Sequence, residues 1–233
     1  MSILDPTRVG RRLCAAARRE FPGIRWQEPE GACAVLTERL RLRDGAQGGD
    51  PWPSGSCRDT FFIDLETLGF IGRPLFLIGI LHPTSRRTAQ LVQYLARDYA
   101  EEEAILHAFA ARHGRPRRWV TFNGKAFDGP FLTERCRFHR LEPPRPREHL
   151  DLLHAARRVW RGVLPDCRLT TLESRVCGVW RGEDVDGGRV PEAYHEFVRT
   201  GEPGELVQIL KHNRHDLLTL GKLYRILRNA ATS

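Results

Sequence analysis

TFFIDLETLG, residues 60–69, alternates apolar and acidic side chains from Ile63 to Glu66 and then turns on a glycine. Alternation at period two puts Asp64 and Glu66 on one face of a strand and Ile63 and Leu65 on the other, toward a core. The next two apolar runs, PLFLIGILH (74–82) and TAQLVQYLA (88–96), read as further strands. A glycine-containing turn, TLGFIGR (67–73), predicts that the first two pair antiparallel. A three-strand meander with two carboxylates at one end is the starting point.

Downstream, YAEEEAILHAFAARH (99–113) predicts a helix whose glutamates favour its positive N-terminal end. WVTFN (119–123) is a short buried strand, FDGPFLTERCRFH (127–139) a helix and HLDLL (149–153) the end of a strand. The rest reads as helical: LTTLESRVCGV (169–179), PEAYHEFVRT (191–200) and a final helix from about 205 to 228. Strands feeding into strand–helix–strand crossovers predict an α/β fold. Its mixed sheet joins the meander to parallel strands, with helices on the faces and a helical C-terminal extension. Upstream, residues 1–57 read as a basic N-terminal arm and linker. A helical stretch from Val9 to Phe21 leads to the Gly/Pro-rich GAQGGDPWPSGS (45–56). The expected domain is 58–233.

Composition narrows the class. The 233 residues carry 41% hydrophobic and 28% charged side chains, which is globular usage, and no apolar run approaches the ~20 residues of a membrane span. The N-terminus MSILDPTRVGRRLCAAARRE is charged where a signal peptide would be apolar, so the expected location is cytoplasmic. Six cysteines without a CxxC pattern predict reduced thiols. The formal net charge is +8, and all but Lys125, Lys211 and Lys222 of the 37 basic residues are Arg. Arginine offers a planar fork for phosphate and stacks on bases, so a nucleic-acid partner is expected.

Two more carboxylates complete a constellation. Asp128 stands after a strand, at the start of a helix. Asp216 lies on the final helix, with His212 one turn earlier on the same face. Clustered carboxylates stay ionised only with cations between them. Two hard divalent ions, Mg²⁺ or Mn²⁺, suit all-oxygen ligands and can clamp the attacking and leaving oxygens of a phosphodiester. With 29 acidic residues in the chain, Asp-x-Glu alone is weak; the order of the elements carries the argument.

That order resembles the DnaQ-like, or DEDD, exonuclease superfamily. FIDLETLG (62–69) resembles its first motif, TFNGKAFDGPFL (121–132) its second through Asn123, Phe127 and Asp128, and HNRHDLLTL (212–220) its third. The helical tail is similar to the YprB-like ribonuclease H-like branch. The resemblance covers about residues 58–228. It implies a ribonuclease H-like fold and metal-dependent 3′→5′ exonuclease activity on single-stranded DNA or RNA ends, with Asp64, Glu66, Asp128 and Asp216 as metal ligands. Thr67 and Leu68 fall where the superfamily contacts the terminal nucleotide.

One position departs from the pattern. Better-known members carry Tyr four residues before the last Asp or His five before it; here His212 is at minus four and Lys211 at minus five. A histidine accepts protons near neutral pH, so His212 is the candidate base, with His215 as competitor. Asn123 either holds the Asp128 loop or makes a turn, and Asp151 is expected to orient Arg157 or Arg158. Arg157 and Arg161, with GRPRRW (114–119), RFHRLEPPRPREH (137–149) and the rings of Trp119 and Trp160, form a candidate phosphate track with stacking options. The alternatives are a catalytically weak nucleic-acid-binding module and a structure-specific endonuclease on the same fold.

Overall fold

A computed structural model describes residues 6–29, 32–41, 60–85, 87–113, 118–182 and 185–232. The meander forms as expected: β3 (Thr60–Thr67), β4 (Leu75–Ser85) and β5 (Thr88–Leu95) pair antiparallel in sequence order. β6 (Arg118–Thr121) then runs parallel to β3, and β7 (Glu148–Asp151) parallel to β6. Their crossovers are α2 (Glu102–His113) before β6 and α3 (Asp128–Phe138) between β6 and β7. Helices α4 (Leu152–Trp160), α5 (Leu169–Arg175), α6 (Val190–Thr200) and α7 (Gly204–Thr232) follow.

The N-terminal region corrects the expected domain division. α1 (Pro6–Glu20), β1 (Arg25–Gln27) and β2 (Ala34–Arg41) belong to the same unit. β2 pairs antiparallel with β5 along its whole length, from Ala34 opposite Leu95 to Arg41 opposite Thr88, and β1 adds an edge strand to it. The sheet therefore has seven strands in the order β1-β2-β5-β4-β3-β6-β7. The physical reason is apolar: Leu13, Ala17 and Phe21 of this region, with Cys33 to Leu36, are buried in the main core. Arg214 of α7 pairs with Glu38 at 2.7 Å and Lys211 with Glu20 at 2.9 Å, fastening the region further. The proposed linker at 45–56 lies outside the described residues.

The site is placed by α7. Its first half packs Leu206, Ile209 and Leu210 into the core that also holds Ile63 and Leu65. Its second half packs Leu217, Leu220, Leu223 and Tyr224 against Phe62, Leu81 and Val120 in a second core. Residues 212–216 fall between the two apolar stretches, where α7 crosses β3 and β4. No helix among the described residues is long and apolar enough to cross a membrane.

Candidate active site

Asp64 lies where this crossing is tightest. It stands opposite Gly79 of β4, and a Cβ at Gly79 would fall 2.1 Å from Oδ1 of Asn213 on α7. Only glycine leaves room for the Asn213 side chain here. Asn213 fills that space: its Nδ2 donates to Oδ2 of Asp64 at 2.8 Å, and its Oδ1 accepts from Gln93 at 2.8 Å. Burial first, then repulsion from Asp216, Glu66 and Asp128, pushes the Asp64 carboxyl well above its usual range, against the opposing Asn213 hydrogen bond. All three other predicted carboxylates thus bear electrostatically on Asp64. A strand, a helix start and a distant helix thus bring their carboxylates into one neighbourhood.

Asp128 is delivered by a pinned loop. The Asp151 carboxylate accepts from the backbone N–H groups of Asn123 at 2.8 Å, Lys125 at 3.1 Å and Leu153 at 3.0 Å. It therefore caps α4 and holds the 123–125 turn together, which corrects the expectation that it orients Arg157 or Arg158. Asn123 takes a left-handed φ of 62°, a conformation asparagine tolerates better than most residues. Gly124 is required because a Cβ would strike Thr121 at 2.4 Å. Asp128 itself is 5% exposed. Burial and the neighbouring Asp151 charge raise its carboxyl to about 7, against a hydrogen bond from the Leu65 backbone.

On α7, Nε2 of His212 lies 3.5 Å from Oδ2 of Asp216, as the i, i+4 spacing predicts. The other oxygen, Oδ1, accepts from Nη2 of Arg181, whose side chain is only 8% exposed. Arg181 also donates through Nε to buried Glu173 on α5, and its Nη1 is 3.5 Å from Nδ1 of His212. Glu173 in turn accepts from Thr219 Oγ1 at 2.8 Å, so α7 and the segment after α5 are laced together.

Four acidic side chains with oxygen donors suit hard divalent cations, and a cation would offset both the burial and the repulsion that raise the Asp64 carboxyl. As placed, no three His, Cys, Asp or Glu side chains among the described residues converge tightly enough to hold a metal ion. Asp216 is turned to Arg181 instead.

The secondary candidates separate. Thr67 donates to the Gly69 carbonyl at 2.9 Å, and Leu68, half-buried, packs on the main core and donates its N–H to Pro74. Arg157 and Arg161 are exposed on α4 and at its end, with no hydrogen bond or ion pair to the carboxylates among the described residues. Trp119, 2% exposed, is core and offers no stacking face; residues 114–117 lie outside the described residues. Asn213, Glu173 and Arg181 were missed by sequence reasoning. Asn213 sits inside the third motif and was within reach. Arg181 stands 35 positions before Asp216 among many arginines, and nothing local marks it.

A family profile described as RNase_H superfamily matches residues 61–228. The uncharacterized protein YprB of Bacillus subtilis (strain 168) is 36% identical over 169 residues, which cover 70% of this chain and 40% of YprB. The chain thus spans well under half the length of that curated relative. The family B DNA polymerase of Pyrobaculum calidifontis superposes with a TM-score of 0.57 at 14% identity, over 84% of this chain and 29% of the polymerase. At that identity the likeness is one of fold.

Proposed function

The chain belongs to the RNase H superfamily, in its YprB-like branch, and from that premise we propose that it is a metal-dependent nuclease, a 3′→5′ exonuclease acting on single-stranded nucleic-acid ends. The observation that supports this most is the charge cluster around Asp64, built by Glu66, Asp128 and Asp216 from three separate elements. These four side chains would hold two divalent ions, Mg²⁺ or Mn²⁺. Such ions, when bound, stabilise charge on the attacked phosphate and make water a better nucleophile at neutral pH.

The chain's own groups do the rest. His212 is the group that takes the proton of the attacking water, and its ring is held beside Asp216, with Nε2 3.5 Å from Oδ2. Asn213 fixes the rotamer of Asp64 through its 2.8 Å hydrogen bond. Leu68 and Thr67, directly after the acidic pair, meet the terminal nucleotide. Exposed arginines, Arg157 and Arg161 among them, hold the strand by its phosphates. One observation favours the reading as a catalytically weak nucleic-acid-binding module: the Arg181 guanidinium already engages Asp216.

Digestion of 5′-end-labelled and 3′-end-labelled single strands, DNA and RNA, with Mg²⁺, with Mn²⁺ and with EDTA tests the proposal. The expected result is a metal-dependent ladder of 5′-labelled products shortening from the 3′ end. Binding without cleavage in either metal would favour the binding module. Single internal cuts would point to an endonuclease.

A further inference from the structure

The tryptophans among the described residues divide by exposure. Trp119 is core, Trp160 is half-buried, and Trp26 donates its indole N–H to Glu28. Trp180 is 79% exposed. Burying an indole is among the larger apolar gains open to a protein, so one held in water calls for a partner.

The residues on either side of Trp180 are anchored. The Val179 N–H on one side donates to the Glu173 carbonyl at 3.1 Å, and Cys177 donates to Leu172 at 2.9 Å. On the other side Arg181 is locked to Glu173 and Asp216. The residue next to Trp180 therefore reaches into the carboxylate site, and their Cα atoms are about 3.8 Å apart. A solvent-facing indole whose backbone neighbour reaches into that site is placed to meet a strand bound there. Exposed Arg175, at the end of α5, carries the charge that attracts phosphates.

We propose that Trp180 is a base-stacking platform for single-stranded nucleic acid, taking the face of a base near the phosphodiester that the carboxylate site would cut. The inference rests on the nuclease reading and extends it to the substrate's form. Bases in a duplex have their faces covered by their neighbours, whereas an unpaired base offers its face to an indole. The platform thereby selects single strands over paired ends without reading sequence, since every base has a π-face.

The test is binding in EDTA, where no turnover intervenes. Anisotropy of fluorescein-labelled single strands of DNA and RNA is measured for the wild type, Trp180→Ala and Trp180→Phe, alongside a blunt duplex and a strand with abasic 3′-terminal positions. Stacking predicts that Trp180→Ala weakens single-strand binding about tenfold or more, that Trp180→Phe retains most of the affinity, and that neither changes duplex or abasic binding. An unchanged melting temperature is expected, because the side chain is exposed. Equal single-strand affinity for Trp180→Ala and wild type would overturn the platform and leave the nuclease reading standing; such a patch would then serve a protein partner. An equal loss on the abasic strand would overturn it too. Failure of the wild type to bind any strand would remove the nuclease reading and the platform together.

Discussion

At the scale of single residues, the proposed mechanism gives the carboxylates the metals and His212 the proton. If His212 takes the proton of the attacking water, His212→Ala slows the chemical step by roughly 10²–10⁴ and leaves binding little changed, with partial recovery as pH rises. Single-turnover rates across pH check this. A larger loss in His215→Ala would identify the other histidine as the base. Asp128 makes a prediction about stability. Its carboxyl is raised to about 7 in the folded protein, so ionising it in the fold costs stability above that pH. The cost is relieved as pH falls through 7 and is gone below the unfolded value near 4. Asp128→Asn should therefore raise the melting temperature of the metal-free protein by several degrees at pH 8 and by little at pH 5. Buried His113, whose ring is pushed down to about 3 by burial and by the charges of His82 and Arg112, acts in the opposite sense as pH falls through 6.5. It is common to both proteins, so comparison at each pH removes it. Equal shifts at the two pH values would contradict the assignment of Asp128.

At the scale of elements, the site depends on how closely α7 lies on the sheet. Gly79→Ala puts a methyl group where Asn213 now sits, 2.1 Å from its Oδ1, so the Asn213 side chain must turn away or α7 must move off β4. Overpacking of this kind costs about 1–3 kcal/mol, and here it also breaks the Asn213–Asp64 hydrogen bond. Lower thermal stability together with lower kcat is expected, whereas an unchanged kcat would show that the close approach is not needed for activity. The elements also show what a sequence makes legible. Asp64 and Glu66 were readable because strand alternation puts spacing two on one face, and His212 and Asp216 because four residues make one helical turn. β2 was missed although its end, RLR at 39–41, alternates as a strand does; the surrounding positive charge suggested a solvated arm. Arg181 was not legible at all. Its role arises from tertiary contacts to Glu173 and Asp216, and a Gly- and Asp-rich stretch gives no periodicity to place it.

At the scale of the whole molecule, a net charge of +8 carried almost wholly by arginine should govern encounter with nucleic acid. Binding should weaken steeply with salt as arginines displace counterions from phosphates. Replacing Arg157 and Arg161 together should weaken binding to all sequences alike and flatten the slope of log K against log salt by about two. An unchanged slope would make the α4 surface a bystander. The domain reaches farther toward the N-terminus than composition suggested, because α1, β1 and β2 close the same core.

The central claim is that the carboxylates around Asp64 cut phosphodiesters with divalent metal. Turnover of a 5′-end-labelled single strand by Asp64→Asn, beside the wild type in Mn²⁺ and with folding verified by circular dichroism, tests it most directly. Loss of cleavage to background in a folded variant is the predicted result. A folded Asp64→Asn protein that cleaves at a rate near wild type would contradict it.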